Sequence, residues 1–384
     1  MAFWDELTGQ DDAVALVEHA ASDPAAMTHA WLVTGPPGSG RSTLASAFAA
    51  ALLSQGLDEQ GAELVRGQVA ARTHPDLIAL VTDRVVITVD EVRAIVSRSY
   101  TSPSVAPWRV VVIEDADRMS ERTSNVLLKA LEEPPPRTVW ILCAPSEADL
   151  LPTIRSRVRS VRLKVPAVEE VAALLVRRDG VTAEVAARAA REAQSHIGMA
   201  HRLATDEAAR LRRSETVRLA LGVRDASSGV LAAAALLETA KADAEAYGQQ
   251  QDGQERDALL RSLGIEPGGA VPPQLRSELR RLEDDQKRRA TRSLRDGVDR
   301  ILVDLLSVQR DLLLIRLGVA DGVDSAELVN AAIEPALREH AAAGEAADAM
   351  RALDAIALAR RRIEGNVPPL LAMESMLMSF RPVR

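Results

Sequence analysis

The sequence predicts an α/β domain, a parallel sheet flanked by helices, followed by a long all-α region. Three observations predict it. In the first third, short β-branched runs alternate with helical patterns, as in a sheet wrapped by crossover helices. The strand signal then fades from about Val168 onward. From about residue 206 to the end, Ala, Leu, Arg and Glu dominate, a composition that favours helix throughout. At 384 residues the length suits two or three domains.

Taken in order, Ala30 to Thr34 (AWLVT) is a short strand stopped by Gly35-Pro36-Pro37-Gly38, and Ser42 to Leu53 is a helix. Leu77 to Val81 is a second strand. Thr88 to Ser99 is a helix with Thr88 as N-cap and Glu91 completing a capping box. Arg109 to Ile113 and Thr138 to Ala144 are apolar runs of the kind buried on both faces of a parallel sheet. The helix Ser120 to Leu131 between them stops before Pro134-Pro135-Pro136. Short helices follow at Val168 to Arg178, Thr182 to Ser195 and from Gly198. Leu294, Val298, Ile301, Leu305, Val308, Leu312 and Ile315 then form one apolar stripe on a long helix ending at Gly318. Tyr247 to Gln254 and Gly264 to Pro273 read as loops.

Composition excludes several classes of function. Aromatic residues are 2% of the chain, too few for a stacking platform on single-stranded nucleic acid. The single cysteine, Cys143, rules out a disulfide framework or a thiolate-rich zinc site. The six histidines show no ligand spacing, so no metal centre is expected. A net charge of −8 argues against a dominant basic face for duplex DNA. Neither a membrane span nor a secretory leader is recognisable, so a soluble, cytoplasmic protein is expected.

Two motifs carry chemistry. Gly35, Pro36, Pro37, Gly38, Ser39, Gly40, Arg41 and Ser42, with Thr43 next, fit the phosphate-loop spacing between a strand and a helix. Glycines let backbone N–H groups turn toward phosphate oxygens, and the helix N-terminus adds partial positive charge. Ser42 would offer its hydroxyl to Mg²⁺. Arg41 stands where lysine is expected, a planar fork in place of a compact point charge. The second motif is the apolar strand ending in Glu114 and Asp115, where Mg²⁺ binding and water activation would lie. The usual order, Asp then Glu, is inverted here. Three readings stay open: nucleotide bound without useful hydrolysis, a loop kept only for structure, and full ATPase activity. For Glu114 and Asp115 the bland alternative is a pair of solvated carboxylates at a strand end.

Further segments carry a family resemblance. They are Trp4 to Gln10, Thr28-His29-Ala30-Trp31-Leu32, Thr73-His74-Pro75-Asp76-Leu77, Asn125 to Pro135, and Arg155-Ser156-Arg157-Val158. Over roughly residues 3 to 205 the chain resembles the bacterial clamp-loader branch of the AAA+ ATPases, most closely its delta-prime type. The departures fall on one set of positions. Ser54 to Arg72 has none of the family's four zinc-binding cysteines, so no zinc is expected, and Val158 replaces the cysteine of Ser-Arg-Cys. The sensor positions hold Cys143-Ala144-Pro145-Ser146 and, after Gly198, His201 with Arg202 one step late.

The resemblance implies an AAA+ phosphate-loop domain (1–165), a small helical lid (166–206) and a helical collar (207–384). It implies a stator-like subunit whose own degenerate site holds ATP or ADP, with Mg²⁺ possible, and does not turn it over. Arg157 would then be an arginine finger completing a neighbour's ATP site; the bland alternative is a structural salt-bridge residue. Implied partners are the loader's gamma/tau-type ATPase subunits and its delta subunit, and through them the sliding clamp and primed DNA. An active gamma/tau-like motor and a nucleotide-free scaffold are the rival readings. The basic run Lys287-Arg288-Arg289, with Arg292, Arg295 and Arg300, reads as a solvated helix face, a DNA contact being the alternative.

Overall fold

In a computed structural model the described residues are 4, 7–82, 86–262, 276–321 and 327–380, less some side chains of the long helices. They fall into two compact units, Met1–Thr205 and Asp206–Arg384.

The first unit is built on five parallel strands: β1 (Ala30–Thr34), β2 (Leu77–Leu80), β3 (Arg109–Ile113), β4 (Thr138–Ala144) and β5 (Arg159–Arg162). Their order in the sheet is β2-β3-β4-β1-β5. Alternate side chains feed two cores. Trp31, Val33, Val110, Val112, Ile141 and Cys143 pack on one face against helices α1 (Asp11–Ser22), α2 (Arg41–Leu53) and α3 (Glu59–Ala70). Leu32, Ile78, Val111, Ile113, Trp140 and Leu142 pack on the other against α4 (Val89–Ser99), α5 (Glu121–Glu132) and α6 (Pro152–Arg155). Each large side chain so buried contributes roughly 1.5–3 kcal/mol. That two-sided burial is why β1, β3 and β4 read as unbroken apolar runs.

β5 escapes that pattern. It is an edge strand paired only with β1, and of its four residues only Val161 is buried. Charged side chains on an edge strand block further pairing, and they also erase the apolar signal. The capping box at the start of α4 is present, with the Thr88 hydroxyl accepting from the Glu91 N–H and the Glu91 carboxylate from the Thr88 N–H. Helices α7 (Val168–Asp179), α8 (Ala183–Glu192) and α9 (Ile197–Thr205) complete this unit.

The second unit is helical: α10 (Glu207–Leu221), α11 (Ala226–Ser262), α12 (Arg276–Arg316), α13 (Glu334–Ala342), α14 (Ala346–Glu364) and α15 (Pro369–Leu377). The predicted stripe is its core: Val298, Ile301 and Leu305 pack with Leu236, Ile356 and Met373, while Val308 and Leu312 pack with Val217 and Leu337. α12 ends where expected. The Gly318 N–H bonds to the Ile315 carbonyl and the Val319 N–H to that of Leu314, with Gly318 at φ +70°.

One expectation fails here. Tyr247 to Gln254 is not a loop, because α11 runs through it. Its four Gln are good helix formers, and Gly248 and Gly253 each cost only about 1 kcal/mol. Pairing with α12 offsets that cost: Gln286 Nε2 donates to the Asp252 carbonyl at 3.0 Å, and Arg289 Nη2 reaches Asp252 Oδ1 at 3.1 Å. The loop expected at Gly264 to Pro273 lies outside the described residues, as do Asp5 and Glu6. In the basic run, Arg292 pairs with Asp296 and Arg295 donates to Asn366; the Arg288 side chain lies outside the described residues.

Candidate phosphate-loop site

In a doubly wound sheet, ligands bind beyond the carboxyl ends of the strands where the strand order reverses. β1 ends at such a point, between β4 and β5. The segment Gly35 to Gly40 leaves it and enters α2. Gly38 (φ +78°) and Gly40 (φ +96°) take left-handed conformations that glycine adopts freely, and Gly40 is the N-cap. The turn is closed by the Ser39 N–H on the Pro36 carbonyl and tied to β4 by the Gly35 N–H on the Pro145 carbonyl. Gln10 braces it from outside, its Nε2 donating to the carbonyls of Ser39 (3.4 Å) and Lys164 (2.9 Å).

Several donors in the loop are left over. No side chain caps the start of α2, so its first N–H groups stay available. Among the described residues, Ser39 Oγ and Arg41 Nη1 are buried without a hydrogen-bond partner. A buried donor without a partner costs free energy comparable to a lost hydrogen bond. Such a set fits phosphate oxygens.

The loop also has a cover. The His196 ring lies against Gly38, where a Cβ would come within 2.3 Å of His196 Cγ, and the Ile197 N–H reaches the Gly38 carbonyl at 3.3 Å. His196 Nδ1 accepts the Met199 N–H at 3.2 Å. The helix beside the loop therefore opens at Ile197, one residue before Gly198, and it is His196 and Ile197 that meet the loop. His201 pairs instead with Asp179 at 2.8 Å.

Of the two acidic residues, Glu114 reaches the loop. Ser42 Oγ donates to Glu114 Oε2 at 2.8 Å. The other oxygen of Glu114, Oε1, holds Arg72 Nη2 at 3.2 Å. Asp115 stands at φ +51° and pairs with Arg118 Nε at 3.4 Å. Mg²⁺ requires oxygen ligands at 2.0–2.1 Å in near-octahedral order. Here each carboxylate faces a guanidinium, a donor that cannot ligate a metal. The residues fit phosphate; they do not fit the magnesium ion.

Cys143 lies beneath the loop, fully buried, its Sγ 3.9 Å from the Arg41 carbonyl. Burial, and next the Glu114 charge, push its thiol up to about 12. Ser146 caps a short turn, accepting from the Ala148 N–H. Asp117, beside this cluster, is raised above its ordinary value by burial and then by Asp115.

Arg157 stands at the corner between α6 and β5. Its Nη2 pairs with Glu132 Oε1 at 2.6 Å and its Nη1 donates to the Thr153 carbonyl at 2.7 Å. About a third of the side chain remains exposed.

Sequence reasoning missed Arg72. Its only local hint is negative. α3 ends with the Arg72 N–H on the Val69 carbonyl and the Thr73 N–H on that of Gln68, which puts Arg72 at φ +56° where glycine is usual. Among the described residues no group of three or more His, Cys, Asp or Glu side chains could hold a metal ion. Among them, too, no helix is long and apolar enough to cross a membrane.

Residues 9–167 match a protein family described as "DNA polymerase III, delta subunit". Over that segment, less than half of its length, the chain is similar to this family. The match covers the sheet, the loop, Glu114–Asp115 and Arg157, and, of the segments that carry the resemblance, all but Trp4 to Thr8. Among curated relatives, DNA polymerase III subunit delta' of Pseudomonas aeruginosa is 37% identical over 161 residues, covering 41% of this chain and 45% of that protein. DNA polymerase III subunit gamma/tau of Mycobacterium bovis is 29% identical over 176 residues, covering 45% and 30%. The chain thus spans less than half the length of these two relatives. A solved gamma subunit-related protein of Thermotoga maritima aligns with 96% of this chain and 98% of its own at 17% identity and a TM-score of 0.43, a likeness too distant to bear on function.

Proposed function

We propose that this chain is the delta-prime, stator-like subunit of a DNA polymerase III clamp loader. It would help an ATP-driven complex of gamma/tau-type and delta subunits place a sliding clamp on primed DNA. Arg157 would complete the ATP site of a neighbouring subunit, while this chain's own loop holds nucleotide without turning it over. One observation carries the reading. Both carboxylates of the hydrolytic strand are engaged by internal arginines, Glu114 by Arg72 and Asp115 by Arg118, whereas Arg157 keeps an exposed face. Catalytic phosphoryl transfer relies on metal and water placement, and displacements of about 1 Å can cost two orders of magnitude. A neighbour's phosphate would compete with Glu132 for the Arg157 guanidinium.

The test is assembly of the loader with Arg157→Ala. The complex should form normally, and hydrolysis at the site it completes should fall by roughly 10³-fold or more, the range for an arginine finger acting in trans. Unchanged hydrolysis in the assembled complex rejects the finger. A second reading, an active motor subunit, is supported by the likeness to gamma/tau and by the retained Ser42–Glu114 contact. Steady ATP turnover by the purified chain with clamp and primed DNA would favour it.

A further inference from the structure

The arginine on Glu114 has a consequence for what the loop can bind. Phosphate-loop pockets ordinarily take nucleotide with a divalent cation, because the phosphates carry several negative charges and the ion offsets them. In this chain the carboxylate that would hold the ion carries the Arg72 guanidinium at 3.2 Å on one oxygen and the Ser42 hydroxyl at 2.8 Å on the other. The second carboxylate, Asp115, stands on a left-handed backbone and pairs with Arg118.

Positive charge is nonetheless abundant. Among the described residues, Arg41 Nη1 is buried without a partner in the loop itself, and Ser39 Oγ, on a residue 1% exposed, is likewise unpartnered. The Arg72 backbone is held in the left-handed region at the C-terminal stop of α3, a position glycine would fill at less cost, and its side chain is spent on Glu114. The strained position and the ion pair together bring a cation to the carboxylate that would otherwise hold a metal.

We infer that the loop binds a nucleoside di- or triphosphate without a divalent metal ion, with Arg72 standing in for the ion and Arg41 facing the phosphates. This rests on the loop being a nucleotide pocket, as proposed above, and adds how its charge is balanced. A guanidinium offers directed hydrogen bonds to phosphate but cannot ligate or acidify a water. Metal-free binding therefore goes with retention of the nucleotide rather than its hydrolysis.

The experiment is a fluorescence titration of the full-length chain with N-methylanthraniloyl-ADP, once in excess EDTA and once in excess Mg²⁺. The wild-type chain should give the same Kd in both buffers to within about threefold, since the charge is already supplied by a fixed donor. Arg72→Gly suits the left-handed backbone and removes only the side chain. In EDTA it should bind about tenfold more weakly than wild type, the loss of one charge-assisted contact, and Mg²⁺ should restore much of that affinity. A protein that had merely lost stability would weaken equally in both buffers. Wild-type binding that collapses in EDTA overturns the inference but leaves the pocket a nucleotide site. Arg72→Gly binding as tightly as wild type in EDTA also overturns it. No binding by wild type in either buffer overturns the nucleotide reading itself, and this inference with it.

Discussion

Asp76, the last residue of the Thr-His-Pro-Asp step, offers a prediction whose size follows from its contacts. The carboxylate is completely buried. Its Oδ1 accepts from the Ser104 N–H (2.6 Å), the Ser104 hydroxyl (3.0 Å) and Arg109 Nη2 (3.1 Å); its Oδ2 accepts from the N–H groups of Val105 (2.7 Å) and Ala106 (2.8 Å). Arg109 is itself 6% exposed and opens β3, the strand that ends in Glu114. Asp76→Ala would strand that guanidinium and three backbone donors. Removing one partner of a buried ion pair costs about 3–5 kcal/mol. Taking about 4 kcal/mol, and 2–4 °C per kcal/mol for a unit of this size, the Tm of the first unit should fall by roughly 8–16 °C. Thermal unfolding followed by circular dichroism measures it, and a loss below about 1 kcal/mol would refute the assignment of Asp76 as the clamp of the 102–109 loop. Acid adds an independent check. Burial works to raise Asp76, but the N–H groups of Ala106, Ser104 and Val105 outweigh it and hold the carboxyl below its ordinary 3.8. A depressed carboxyl contributes stability that is complete above its unfolded pKa and drains away as pH falls through the folded value. Wild type should therefore lose this contribution below about pH 4, and Asp76→Asn should lack that part of the acid sensitivity.

Two further outcomes follow from the loop and its surroundings. Gly38→Ala places a methyl group against the His196 ring on a φ of +78°, so it should destabilise the first unit by at least the roughly 1–2 kcal/mol of a left-handed alanine. Adding His196→Ala should recover the steric part, and a strictly additive double mutant would count against the contact. Cys143, buried and with its thiol pushed up to about 12, should give no reaction with Ellman's reagent at pH 8 in the native chain and one equivalent after denaturation; a native titre near one would contradict that burial.

Much of the scaffold was legible in the chain because local and tertiary demands coincide there. β1, β3 and β4 begin and end where their apolar runs do, since both faces of each strand are covered. The Thr88–Glu91 box and Gly318 mark helix ends by side-chain chemistry that acts within a few residues. β5 was invisible because an edge strand needs only Val161 inside. The Tyr247 to Gln254 stretch misled because its glycines and polar residues look like a break, while α12 supplies the partner that holds the helix together. In the candidate site, motif spacing singled out Gly35 to Thr43, Glu114 and Asp115, of which Ser42 and Glu114 meet in the structure, and nothing in it pointed to Arg72 or to His196.

By itself, then, the order of residues determined β1, β3 and β4, the capped helix ends, the apolar stripe of α12, and the strand that ends in the carboxylates Glu114 and Asp115. Those outcomes depend on contacts a few residues apart or on a burial pattern repeated along one element. Only the tertiary structure decided what neutralises those carboxylates and what covers the glycines. Arg72 meets Glu114 across 42 positions and His196 meets Gly38 across 158, through chain folding that leaves no periodic trace in the sequence.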